Sequence, residues 1–219
     1  MLKHHKPARF FLLGLLAAVA WFGVLLQFAL SLALSKANGY SLAHGSITYF
    51  GYFTVLSNLL VAVIASMGLV VPESRAFSGS VRGCATTAIV LVGIGYHVLL
   101  REVWDPQGWQ QVADNTLHYV VPLLSLAYWG LFPPRWRLAD YAPLAWGAYP
   151  VAYFAYVIVR GELIGSYPYY FIDVGELGFA TVLTNALAFL LAFVALGFGI
   201  RALARLRWSE VVPTPTARH

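Results

Sequence analysis

From Phe10 to Leu34 the chain carries no charged side chain, and comparable apolar runs follow at about Ile47–Val71, Gly83–Val103, Asn115–Phe132, Pro143–Val159 and Val174–Ile200. About 20 apolar residues cross the hydrocarbon core of a bilayer as a helix, whose backbone satisfies its own N–H and C=O groups. Strands of a membrane barrel alternate in polarity over about ten residues, so unbroken runs of this length exclude a barrel. The expected fold is therefore all-α: a polytopic bundle of six transmembrane helices forming a single domain over residues 1–219. The fourth and fifth runs are short and contain Pro122 and Pro150, where the helices should kink. Composition agrees with the runs. Only 11% of the residues are charged and 60% are hydrophobic, against roughly a quarter and a half in soluble domains. A soluble enzyme, a coiled coil and a disordered chain are excluded.

The net charge of +5 suggests nucleic-acid binding until the charges are placed. Eleven of the 14 Lys and Arg residues fall in the N-terminal segment, the second and fourth loops, and the tail after Ile200. Lys36, Arg101 and Arg160 occupy the alternate loops. By the positive-inside rule both termini are expected in the cytoplasm, with residues 201–219 a cytoplasmic tail whose last residues are unstructured. The positive charge is then a topology signal that also favours anionic headgroups. Membrane lipids are the expected partners, and no nucleic acid is. The first run, about 25 residues, is too long for the 7–15-residue core of a cleaved signal peptide and is read as a retained span in a plasma or inner membrane. A single cysteine, Cys84, excludes an internal disulfide or a paired-cysteine metal site.

With this orientation, nearly every strongly polar residue within a span falls in its outer third. Thr54, Ser57 and Asn58 lie near the outer end of span 2, His97 and Arg101 of span 3, Asn115 and His118 of span 4, and Asp173 and Glu176 of span 6. Polar groups in lipid face inward at each other or at a wet cavity, either as interhelical glue or as a site. Thr54 is expected about 7–8 Å below the outer surface and His118 about 4–5 Å below, at 1.5 Å per residue. A hydroxyl is a weak nucleophile, and a neighbouring imidazole is the usual means of activating it. Thr54 and His118 are thus the candidate catalytic pair. Asn58, one turn below Thr54, and Ser57 are candidates for orienting a group or stabilising an oxyanion. His97, Arg101, Asn115, Asp173 and Glu176 are candidate substrate-cavity residues. Pro122 lacks the N–H that would reach the His118 carbonyl, so that carbonyl is expected to be free.

Thr54-Val-Leu-Ser-Asn58 recurs as Thr181-Val-Leu-Thr-Asn185, in a register unlike an inverted transporter repeat. No GxSxG, HExxH, GxGxxG or Walker pattern occurs. No cofactor or metal is expected, since two core histidines would serve at most one haem. A lipid ester hydrolase and a non-enzymatic transporter or binding protein for a small molecule or lipid are both compatible with these residues.

Four segments carry a family resemblance: Tyr52-Phe-Thr-Val-Leu-Ser-Asn58, Leu100-Arg-Glu-Val-Trp-Asp-Pro-Gln-Gly108, Leu117-His-Tyr-Val-Val-Pro122, and Arg160-Gly161 with Tyr167-Pro-Tyr-Tyr-Phe-Ile-Asp-Val174. On them the chain resembles the bacterial Pr-six-Pr membrane proteins along nearly its whole length. It is more distantly similar to the eukaryotic androgen-induced-gene-one/FAR family. That resemblance implies an intramembrane hydrolase of fatty-acid esters with a threonine nucleophile, carried here by Thr54, and a histidine, carried by His118. In this chain proline follows the histidine by four residues, one fewer than in that family.

Overall fold

The computed structural model describes residues 6–134 and 137–211, with side chains from 7 to 134 and from 137 to 206. Lys3, the Lys6 side chain, Arg135, the Arg207 side chain and Arg218, which enter the charge count, lie outside them, as does the expected tail from 212 onward.

Every regular element among the described residues is helical. α1 (Lys6–Ala37) runs unbroken because nothing in it lacks an N–H after its first turn, and it ends at Asn38-Gly39, where Gly39 takes φ +77°. α2 (Leu42–Phe50) starts at Ser41, whose hydroxyl accepts the His44 N–H at 3.1 Å. α3 (Phe53–Val70) follows after the extended Tyr52. The second apolar run is therefore two helices. Thr54 sits in the first turn of α3, not five residues inside a continuous span.

α4 (Gly79–Gly95) is capped by Ser78 and continues through a wide turn over Tyr96–Leu100, where the Arg101 N–H reaches back five residues to the Tyr96 carbonyl. α5 (Trp109–Asn115) passes through a second wide turn, Thr116–Val120, into α6 (Val121–Leu131). α7 (Ala142–Trp146) and α8 (Ala148–Ile164) lead through a loop to the short α9 (Val174–Leu177), and α10 (Phe179–Val211) completes the bundle.

Among the described residues five segments are long and apolar enough to cross a membrane: Pro7–Ala37, Phe53–Val70, Gly79–Leu100, Ala142–Ile164 and Phe179–Leu206. The sixth expected span is the α5–α6 path, which the wide turn divides into short helices. Large apolar side chains cover the outside of the bundle; Phe11, Leu163 and Leu191 are each at least 70% exposed. In water such a surface would be a liability, and it is compatible with a membrane location.

α1 packs along α3, and α4 packs against α3, α6 and α10. Ala17, Ala20, Ala62, Ala65, Ala85 and Ala88 are buried at these contacts, where small side chains let helix backbones approach. Tryptophan N–H groups tie the helices together: Trp21 donates to Ser66 at 3.0 Å, Trp129 to the Ile200 carbonyl at 2.8 Å and Trp146 to Ser80 at 2.9 Å. Basic residues collect at one end. There Arg82, in the first turn of α4, lies 4.9 Å above the Phe77 ring and donates to the Phe132 carbonyl, while Arg201 and Arg205 pair with Asp140. Tyr96 marks the opposite end, about 21 Å further along the same helical path at 1.5 Å per residue.

Candidate functional site

The two wide turns lie side by side at this end. In the second, the Val121 N–H bonds to the Thr116 carbonyl. In that register the Leu117 carbonyl is the one that would take a bond from residue 122, and Pro122 has no N–H to give. The five-residue spacing thus leaves the Leu117 carbonyl without a partner in its own helix. It is satisfied from another helix. The Asn58 side chain, fully buried, donates to the Leu117 carbonyl at 3.2 Å and to the Thr54 carbonyl at 2.9 Å. One amide thereby ties the backbone beside the histidine to the backbone of the threonine.

That tie brings the expected pair together. Thr54 Oγ1 lies 3.4 Å from His118 Nε2. On the other side of the ring, Nδ1 lies 3.0 Å from the Asp114 carbonyl and 3.2 Å from the Asp114 carboxylate. Both of these oxygens only accept, so Nδ1 carries a proton, and in the neutral imidazole Nε2 presents its lone pair to the threonine hydroxyl. The Tyr96 ring stacks on the imidazole at 4.0 Å between centroids, 17° from parallel, and its hydroxyl interacts with Asp114. Asp114 is 4% exposed. Threonine, histidine and aspartate thus stand in the serial arrangement that orients an imidazole and primes a hydroxyl.

Gly93 makes this arrangement possible. A Cβ there would stand 2.9 Å from the His118 carbonyl oxygen, so the absent side chain lets α4 approach the wide turn of the α5–α6 path.

Thr54 also lines a cavity of about 270 Å³. Its walls come from α3, the end of α4, α8, the loop at Tyr169–Ile172 and α10, and are mainly apolar: Phe53, Leu91, Phe154, Phe189 and Leu190 among others. Leu99, Val151, Leu183 and Leu187 belong both to the wall and to the exposed outer face of the bundle. The cavity therefore reaches the apolar outer surface, with Thr54 on its wall and His118 outside its lining.

The remaining sequence candidates stand elsewhere. Ser57 is fully buried and shares a hydrogen bond with the Tyr149 hydroxyl at 3.2 Å. Both amide hydrogens of Asn58 are taken by carbonyls, so it positions backbone and has none left for an oxyanion. His97, Arg101, Asn115, Asp173 and Glu176 are not among the cavity-lining residues. The wide turn points Tyr96 inward and leaves His97 exposed beside the Tyr119 hydroxyl at 3.2 Å. Arg101 is exposed and pairs with Glu102 at 3.1 Å. Asn115 is exposed at the end of α5. Asp173 caps α9 by accepting the Glu176 N–H at 3.2 Å, with Glu176 exposed.

No family model, curated protein or solved structure matches the chain.

Three further residues stand at the site beyond the sequence candidates: Asp114, Tyr96 and Tyr169. Asp114 precedes His118 by four positions, the spacing that stacks two side chains on one helix face, and this signal was legible. Tyr96 needs the wide turn to face inward, and Tyr169, though inside the Tyr167–Val174 segment, arrives from a loop whose placement the sequence does not give. The recurrence of the Thr54–Asn58 pattern at 181–185 does have a structural counterpart. Asn185 donates to the Phe171 carbonyl at 2.8 Å, so each asparagine grips the backbone of a segment that carries a site residue.

Proposed function

We propose that the chain is an integral membrane hydrolase of lipid or fatty-acid esters. In this reading six spans cross the bilayer, both termini are cytoplasmic, and the site opens toward the outside. The observation that carries it is the Thr54–His118–Asp114 series, whose threonine lines an apolar cavity that reaches the outer surface of the bundle. The resemblance to intramembrane threonine hydrolases supports it, since the two residues it names are the two in contact.

An acyl chain enters laterally from lipid past Leu99 and Leu187 and places its ester carbonyl at Thr54. Thr54 Oγ1 attacks the carbonyl carbon as its proton passes to His118 Nε2. Asp114, bonded to Nδ1, stabilises the imidazolium that forms. The tetrahedral adduct collapses, the bond to the alcohol oxygen breaks, and His118 returns the proton to that oxygen. Water then attacks the acyl-threonine, giving one proton to His118 Nε2. The Thr54 Oγ1–carbon bond breaks, the proton returns to Thr54, and a carboxylic acid leaves.

A binding protein for lipid would use the same lateral opening. Ester turnover by the purified protein in detergent micelles separates the two: Thr54→Ala and His118→Ala should each remain folded and lose turnover. Retained activity in either variant ends the mechanism, and an inert wild-type protein leaves the binding reading.

A further inference from the structure

Ester hydrolysis needs a donor for the negative oxygen of the tetrahedral adduct; Ser57 is buried off the cavity wall, and both amide hydrogens of Asn58 are taken. Tyr169 has one to offer. It lies on the cavity wall beside Thr54, and its hydroxyl oxygen accepts the Thr54 N–H at 3.4 Å. The same oxygen interacts with the Thr54 side chain and with the Phe53 backbone. Phe53 and Thr54 form the first turn of α3, whose N–H groups have no partner within the helix. The Thr54 N–H holds the phenol oxygen, and the Thr54 hydroxyl hydrogen is turned to His118 Nε2, so the phenol keeps its own hydrogen to donate beside Thr54 Oγ1.

The ring is held by two aromatic neighbours. Phe171 stacks on it at 5.0 Å and 11°, and Tyr52 meets it edge-on at 5.6 Å. The loop that carries it is held in turn by Asn185 at the Phe171 carbonyl. Such a donor is in place before the charge develops, which is what makes an oxyanion donor effective.

We infer that Tyr169 is a further catalytic residue, donating its phenolic hydrogen to the oxyanion formed when Thr54 attacks an ester. The inference rests on the hydrolase reading above. Burial pushes the phenol up to about 12, so the group stays a neutral donor across the physiological range. The positive end of the α3 dipole at the same point adds to stabilisation of the negative oxygen.

The test is Tyr169→Phe, which keeps the ring and its stacking and removes only the hydroxyl. With p-nitrophenyl esters in micelles, kcat should fall by about 10²–10³ while KM changes little, the signature of an interaction made in the transition state. The melting temperature of the variant, measured in parallel, should match that of the parent. Full kcat in Tyr169→Phe together with an inactive Thr54→Ala overturns the role of Tyr169 and leaves the hydrolase reading standing. A raised KM at unchanged kcat also overturns it, since that marks simple binding. Absence of turnover in the wild-type protein overturns both.

Discussion

Asp114 and His118 are joined twice across one turn of helix, through the aspartate's carbonyl at 3.0 Å and its carboxylate at 3.2 Å from the same ring nitrogen. The double contact fixes both the tilt of the imidazole and which nitrogen is protonated. Replacing the carboxylate by an amide keeps the size and shape but allows the side chain to donate, which favours the wrong tautomer. Asp114→Asn should therefore lower kcat by about 10²–10⁴ at nearly constant KM. Steady-state kinetics on a soluble ester checks this, and a wild-type kcat would remove Asp114 from the mechanism.

Gly93 and Gly95 stand on the same helix and should respond oppositely to a methyl group. At Gly93 the added carbon meets the His118 carbonyl oxygen at 2.9 Å, a backbone atom that cannot swing away, whereas nothing lies within 4 Å at Gly95. Gly93→Ala should push the histidine segment from Thr54 and reduce kcat at least tenfold, given the sensitivity of reacting groups to displacements of about 1 Å. Gly95→Ala should retain activity and be neutral or stabilise by up to about 1 kcal/mol. Kinetics and thermal melts of the pair decide the matter; equal activity in the two variants would contradict the close approach.

The cavity makes a prediction about substrate. Ala186 on α10 lies on its wall, and a phenyl group there would take up space that an acyl chain needs. Ala186→Phe should cut kcat/KM for a long-chain ester by about 10–100-fold and leave an acetyl ester within about threefold. Parallel assays on p-nitrophenyl palmitate and acetate measure it. An equal loss on both esters would place the acyl chain elsewhere.

Much of this was legible before the structure, and the parts that were not have identifiable causes. The apolar runs announce the helical class because lipid leaves the backbone little choice. The pairing of Thr54 with His118 follows from residue chemistry and depth. The helix breaks at Gly51-Tyr52 and Gly178 are hidden by the apolar side chains around them, which keep hydropathy high while the backbone turns. The wide turns are equally hidden: Pro122 signals a missing hydrogen bond, but only the structure shows the Leu117 carbonyl taken by Asn58. His97 and Arg101 share the depth of the site, yet face outward because the turn at Tyr96 redirects them. Facing through an irregular helix is not readable from a sequence.

The central claim is that the Thr54 hydroxyl is a nucleophile activated by His118. Labelling of the purified protein with a fluorophosphonate, followed by peptide mass spectrometry, tests it most directly. The predicted result is a single phosphonyl adduct on Thr54, absent in Thr54→Ala and strongly slowed in His118→Ala. A folded wild-type protein that takes up no label, or labels equally in Thr54→Ala, would contradict the account.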